Sequence, residues 1–233
     1  LGIEVTSGRR PLIVNCGSGA RFGTDWRQAS RATPSHSLLC LDDLSSSRLG
    51  RQDLLTETPA IVRSNFEENG TLELSHDGYQ PSHGLTYARM LSLSVDGRML
   101  ECEEILATLN AGDEALFDKA LDQAKLQGIP FSIRFHLHPD VEAQLDMGDT
   151  AVSMTLKSGE VWVFRHDGAA DLTLIPSVYL QNGRLKPRPT QQVVLSGRAM
   201  SYATRVRWSL AKAQDTPTFV RDVVQADPMD ATR

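Results

Sequence analysis

The chain has 233 residues, a formal net charge of −5 and 40% hydrophobic residues. That suits one large domain or two small ones with a real core, and excludes wholesale disorder. An evenly acidic chain without a basic block excludes a dedicated nucleic-acid binder, and no apolar run approaches the roughly 18–20 residues of a membrane helix.

The first residue is Leu1 rather than Met, and residues 1–15 already read as strand, turn, strand. The chain therefore reads as cut from a longer protein. Residues 1–6 and 11–14 flank Ser7-Gly8, and the apolar run 36–42 ends at Asp42-Asp43. Residues 59–66 and 71–75 flank Asn69-Gly70, a hairpin marker because both residues tolerate positive φ. Ser75–Tyr79 reads as a structural corner at Asp77-Gly78. Residues 84–95 and 98–106 flank Asp96-Gly97, with Leu91, Leu93 and Val95 alternating against Ser92 and Ser94.

Residues 113–127 break the pattern. Phe117, Leu121 and Ala124 recur at helical spacing before Gly128, which predicts a short helix or a loop insertion. Strand signals resume at 131–137, where Phe131, Ile133, Phe135 and Leu137 alternate with Ser132, Arg134 and His136. Residues 150–156 and 161–165 flank Ser158-Gly159, and runs at 171–180, 190–196 and 201–210 complete the set. Such spacing predicts an all-β fold, a large antiparallel β-sandwich of stacked sheets with at most one short helix. The sandwich is expected over residues 1–213, with a polar tail over 214–233 that frays.

The three cysteines, Cys16, Cys40 and Cys102, are far apart in sequence. An odd number without a CxxC pair excludes a disulfide framework and a thiolate zinc cluster, leaving one disulfide plus a free thiol open. Cys16 has no activating base beside it in sequence. No P-loop, GxGxxG, GxSxG, HExxH or EF-hand pattern occurs.

His136 and His138 stand at i, i+2, which points both imidazoles to one strand face. Two histidines supply half of a tetrahedral metal shell, and a solvated strand face is the plainer reading. His36 follows a stretch carrying Arg21, Trp26, Arg27 and Arg31. Arginine forks bind carboxylate or sulfate and tryptophan stacks on sugar rings, so these five residues are the candidate substrate-binding set. An ordinary surface loop, with Trp26 tucked into the core edge, is the alternative.

Four segments occur in order: VNCGSG (14–19), WRQASRATPSHSLLCLDD (26–43), LELSHDGY (72–79) and RFHLHPDV (134–141). Together they resemble the C-terminal domain of the heparinase II/III-like polysaccharide lyases, over about residues 1–200. The resemblance implies a bacterial β-sandwich that follows an N-terminal α/α toroid, with an acidic polysaccharide such as a glycosaminoglycan lying between them. It implies β-elimination of uronate-containing chains, in the periplasm or outside the cell. That chemistry needs a neutralised carboxylate, a base and an acid.

The family's acid/base Tyr and its neutralising Asn or His lie on the toroid. A His-rich strand with a catalytic His would lie before Leu1. No catalytic residue is therefore expected within this chain, and the fragment alone is expected to be inactive. Two metal-ligand positions of the family, Asp and His, align with Asn15 and His36. A neutral amide oxygen is a poor zinc ligand, so no cofactor is expected. The alternative is a non-catalytic carbohydrate-binding or structural sandwich.

Overall fold

The computed structural model describes residues 1–50, 54–67 and 70–214. The turn at Ser7-Gly8 joins strands β1 (Val5–Ser7) and β2 (Arg10–Val14). Strands β3 (Leu39–Leu41), β4 (Arg48–Leu49), β5 (Leu55–Glu57), β6 (Val62–Phe66) and β7 (Thr71–Tyr79) follow. Then come β8 (Leu85–Leu93), β9 (Met99–Ala107), β10 (Ile129–Leu137), β11 (Val141–Asp146) and β12 (Ala151–Leu156). The last are β13 (Val161–His166), β14 (Asp171–Tyr179), β15 (Arg188–Ala199) and β16 (Ala203–Gln214).

These strands form two large antiparallel sheets. The six-stranded sheet runs β1-β2-β10-β15-β14, with β3 also paired to β10. The eight-stranded sheet runs β11-β12-β13-β16-β9-β8-β7-β6, and β4 and β5 make a separate ribbon. Alternation along β10 sends Phe131, Ile133, Phe135 and Leu137 into the core, all at most 5% exposed. Phe135 meets Phe164 and Trp208 of the larger sheet, with ring centroids 4.9 and 4.8 Å apart. The expected sandwich is therefore the observed one.

Two expected hairpins turn on glycines in the left-handed region, Gly97 at φ 68° and Gly159 at φ 83°. Asn69 of the third lies outside the described residues, as do residues 215–233 of the expected tail, while Gln214 ends β16. The expected corner at Asp77-Gly78 is instead a bulge inside β7, where the register against β8 shifts between His76 and Tyr79. Tyr79 still packs inward, at 1% exposure.

Three α-helices occur among the described residues: α1 (Thr24–Ala29), α2 (Gln80–His83) and α3 (Ala111–Gln123). Only α3 matches the expected helix. Asn110 caps it, accepting from the Gly112 and Asp113 amides at 2.9 and 3.1 Å. It ends before the predicted Gly128 stop because Lys125 and Leu126 already take φ of 53° and 58°. All three cysteines are free and buried, which settles the disulfide alternative.

Candidate functional site

β2 and β3 share one edge of β10. Val14 stands opposite His136 and Leu39 opposite Ile133. Between them residues 15–38 leave the sheet. The Ser37 hydroxyl closes the gap, donating to the Val14 carbonyl at 2.6 Å and accepting from the His136 amide at 2.9 Å.

His136 pins this excursion to the sheet. Its Nε2 donates to the Pro34 carbonyl at 2.9 Å, and its Nδ1 faces Ser177 Oγ at 2.8 Å and Cys16 Sγ at 3.4 Å. The Pro34 carbonyl can only accept, which assigns the tautomer. Burial pushes the ring's pKa down to about 4, so the imidazole stays neutral. Burial also pushes the Cys16 thiol up, against hydrogen bonds from Ser177 and Ser35 and the charge of Arg134. The contact is therefore a buried thiol beside a neutral ring, and not an activated nucleophile.

Inside the excursion, a 3-10 turn at Gly19–Arg21 packs against α1. The Ser30 hydroxyl ties them, accepting from the Gly19 amide at 2.9 Å and donating to the Arg27 carbonyl at 3.2 Å. Gly19 is required, because a Cβ there would lie 1.9 Å from the Trp26 carbonyl oxygen. The result is one surface knob carrying Arg21, Trp26, Arg27 and Arg31. The three arginines are exposed and Trp26 is half-buried.

His36 lies at the exit of the knob, half-buried, with its pKa lowered first by burial and raised by Glu4. Asn15 is its neighbour: a Cβ on Gly2 would sit 3.4 Å from Asn15 Oδ1 and 3.6 Å from His36 Cβ. The structure thus brings the two family-aligned positions together.

Their chemistry does not fit a zinc site. Asn15 Oδ1 accepts from the Ser37 amide and Nδ2 donates to Glu4 Oε1, each at 2.9 Å, so both ends of the amide are engaged. Both His136 ring nitrogens are engaged too. His138 accepts from the Asp140 amide at 3.3 Å and lies edge-on to Tyr179. No three His, Cys, Asp or Glu side chains converge as a metal-holding group among the described residues.

His76 is enclosed by Tyr79 and Tyr87, and burial pushes its pKa to about 4. It accepts from the Gly78 amide at 3.1 Å, and a Cβ on Gly78 would meet the Ser46 carbonyl at 2.7 Å. This histidine shapes the bulge. Sequence reasoning missed Ser177 and Arg134. The outward phase of β10 was the available signal for Arg134; nothing local marks Ser177 as a partner of His136.

Several solved structures share the fold. Heparan sulfate lyase HepC of Pedobacter heparinus aligns over 93% of this chain and 30% of its own, at TM-score 0.66 and 13% identity. A heparinase III, the BT4657 gene product, aligns over 91% of this chain and 29% of its own, also at 0.66 and 13%. FtsZ-localized protein C of Caulobacter vibrioides is 33% identical over 144 residues, covering 61% of this chain and 23% of that protein. The chain spans less than a third of each of these relatives. Residues 1–209 match the family described as heparinase II/III-like, C-terminal. The antiparallel sandwich agrees with that match, and the chain belongs to the heparinase II/III-like C-terminal domain family.

Proposed function

We propose that this domain is the sandwich wall of a glycan cleft in a longer protein, and that the parent cleaves uronate-containing polysaccharides by β-elimination. The knob of residues 19–31 carries the reading. Three exposed arginines and a half-buried tryptophan stand on a turn fixed by Ser30 and anchored by His136. Arginine forks suit carboxylate and sulfate, and an aromatic face suits a sugar ring. The domain supplies the binding wall, since His136 and Cys16 are committed to internal contacts. Base and acid come from an α/α toroid in the parent, facing the knob across the cleft. Such a protein works in the bacterial periplasm or outside the cell.

The test is to incubate the full-length parent with heparan sulfate, chondroitin sulfate and alginate, and to follow the ultraviolet absorbance of unsaturated uronate. Product from the parent, reduced by Arg27→Ala and Arg31→Ala together, supports the reading. A parent that binds none of these polymers and yields no product overturns it.

A second reading is a non-catalytic glycan-binding sandwich in a protein of the division site. The 33% identity to FtsZ-localized protein C favours it. A fluorescent fusion of the parent that gathers at the FtsZ ring, with no elimination product in the assay above, would select this alternative.

A further inference from the structure

A second feature lies on the same outward face of β10 as His136. It is a trough of about 560 Å³, within the roughly 300–1,000 Å³ typical of small-ligand sites. Its floor is a row of small side chains crossing four strands. Cys40 of β3 stands opposite Ser132 of β10, Ser132 opposite Ser196 of β15, and Ser196 opposite Asp171 of β14. Arg134 lies two residues along β10 from Ser132, and Arg198 two residues along β15 from Ser196. Asp43 and Asp171 are exposed and also line the trough.

Arg134 is poorly satisfied. Its Nε is buried and has no hydrogen-bond partner. Its Nη1 reaches Gln192 Oε1 at a long 3.4 Å. No carboxylate pairs with it among the described residues. A guanidinium that is half-buried without a counter-charge needs a physical reason, because desolvating it is expensive. Arg89 shows the contrast within the same fold, since its Nη2 meets Glu104 at 2.7 Å. Arg198 is held differently, donating to the Gln127 and Gly128 carbonyls at 3.2 and 3.1 Å, which fixes its end of the trough.

We propose that this trough is a subsite for one anionic sugar residue, with Arg134 taking its carboxylate or sulfate and Asp43 and Asp171 accepting its hydroxyls. The proposal rests on the glycan reading of the domain and extends it from the knob to the neighbouring sheet face. Ser132 and Ser196 supply hydroxyls to the ring between the cation and the acids. A neutral sugar lacks the counter-charge that Arg134 requires. A bare inorganic anion leaves the floor and both acids unused.

The experiment is calorimetry on the full chain with three probes: heparin oligosaccharides, oligogalacturonate and neutral dextran oligosaccharides. Both anionic probes are expected to bind and dextran is not; their ranking separates sulfate from carboxylate as the preferred group. Arg134→Gln is expected to weaken binding about ten-fold or more, the scale of one charge-assisted hydrogen bond. Arg134→Lys recovers part of it, since a point charge replaces a fork. Ser196→Leu, which fills the floor and leaves Arg134 in place, weakens it as well. Arg205→Gln, on the other sheet, leaves it unchanged.

In the wild-type chain, amide shifts induced by oligogalacturonate should centre on Ser132, Ser196 and Asp171, which tests the site without any variant. Shifts confined to residues 19–31, or full affinity in Arg134→Gln and Ser196→Leu, would overturn the subsite and leave the knob reading standing. No binding of either anionic probe to the wild-type chain would overturn both.

Discussion

Arg89 and Glu104 meet at 2.7 Å inside the sandwich, exposed by 0% and 1%. Arg89 also donates to the carbonyls of Leu1 and Ser37, at 2.7 and 3.0 Å. Glu104 accepts from the Tyr87 hydroxyl at 2.7 Å and the Trp208 indole at 2.9 Å. The pair grows from β8 and β9 of the larger sheet, yet it holds two backbone carbonyls that flank the smaller one. It ties the base of the excursion to the opposite layer.

Removing one partner leaves the other charged and buried. Glu104→Ala is expected to destabilise the chain by about 3–5 kcal/mol, the usual scale for breaking such a pair. The double substitution Arg89→Met with Glu104→Leu should be milder than the sum of the single ones. Urea unfolding of the wild type, Glu104→Ala, Arg89→Met, Glu104→Leu and the double substitution checks both statements. Near-additive losses would mean that the pair is not coupled.

The two buried neutral histidines predict an acid-side loss of stability. His76 and His136 both have pKa values pushed down to about 4 by burial. Unfolded, each takes a proton below about 6.5. Between those values the unfolded chain binds more protons, so acid favours unfolding. The stability is fully present above about pH 6.5 and is lost as pH falls through 4, by about 3 kcal/mol for His136 alone. Asp140 contributes mainly below this window, because hydrogen bonds from Lys157 and Arg188 hold its pKa at about 2 against about 3.9 unfolded, so its stability is lost between those values. Thermal midpoints between pH 7 and 4 should fall steeply in the wild type and more gently in His136→Gln. Parallel slopes would show that His136 is not the group responsible.

Zinc is expected below stoichiometry in protein purified without immobilised-metal chromatography. Asn15 is tied at both ends of its amide, to Ser37 and to Glu4. Asn15→Asp should not restore a site either, since it sets a carboxylate against Glu4 and removes a donor. Metal analysis of both proteins is the check. One zinc per chain, lost in His36→Ala, would show that the amide is a tolerated ligand.

The isolated domain is expected to give no elimination product from heparan sulfate or alginate. His136, the buried imidazole that anchors the knob, has both ring nitrogens engaged, and burial pushes the Cys16 thiol up, so it stays protonated. Appearance of unsaturated uronate with the purified domain would place base and acid inside these 233 residues.

Much of the sheet architecture was legible because burial on one face enforces period two. Phe131 to Leu137 shows this, and Gly97 and Gly159 mark hairpins by the φ they require. The bulge at Asp77-Gly78 was not legible, because the same dipeptide that ends a strand also accommodates an extra residue within one. α1 was missed because Thr24–Ala29 has no buried residue, and so no apolar stripe to read. At the candidate site, local sequence groups Arg21, Trp26, Arg27 and Arg31. The roles of His136 and Arg134 depend on partners 41 to 102 residues away. Such pairings follow from topology, which periodicity does not encode.

The shared edge of β10 has an engineering consequence. Val14 and Leu39 dock on it opposite His136 and Ile133, three residues apart, or about 10 Å along a strand. The sheet thus treats β2 and β3 as one interrupted strand, and residues 15–38 as a cassette spliced into the break. Closure entropy grows only slowly with length, so cassettes of other sizes should be accommodated provided Ser37 still plugs the gap and a carbonyl still receives His136. Segments of other lengths and sequences can then be exchanged here while leaving the layers beneath undisturbed.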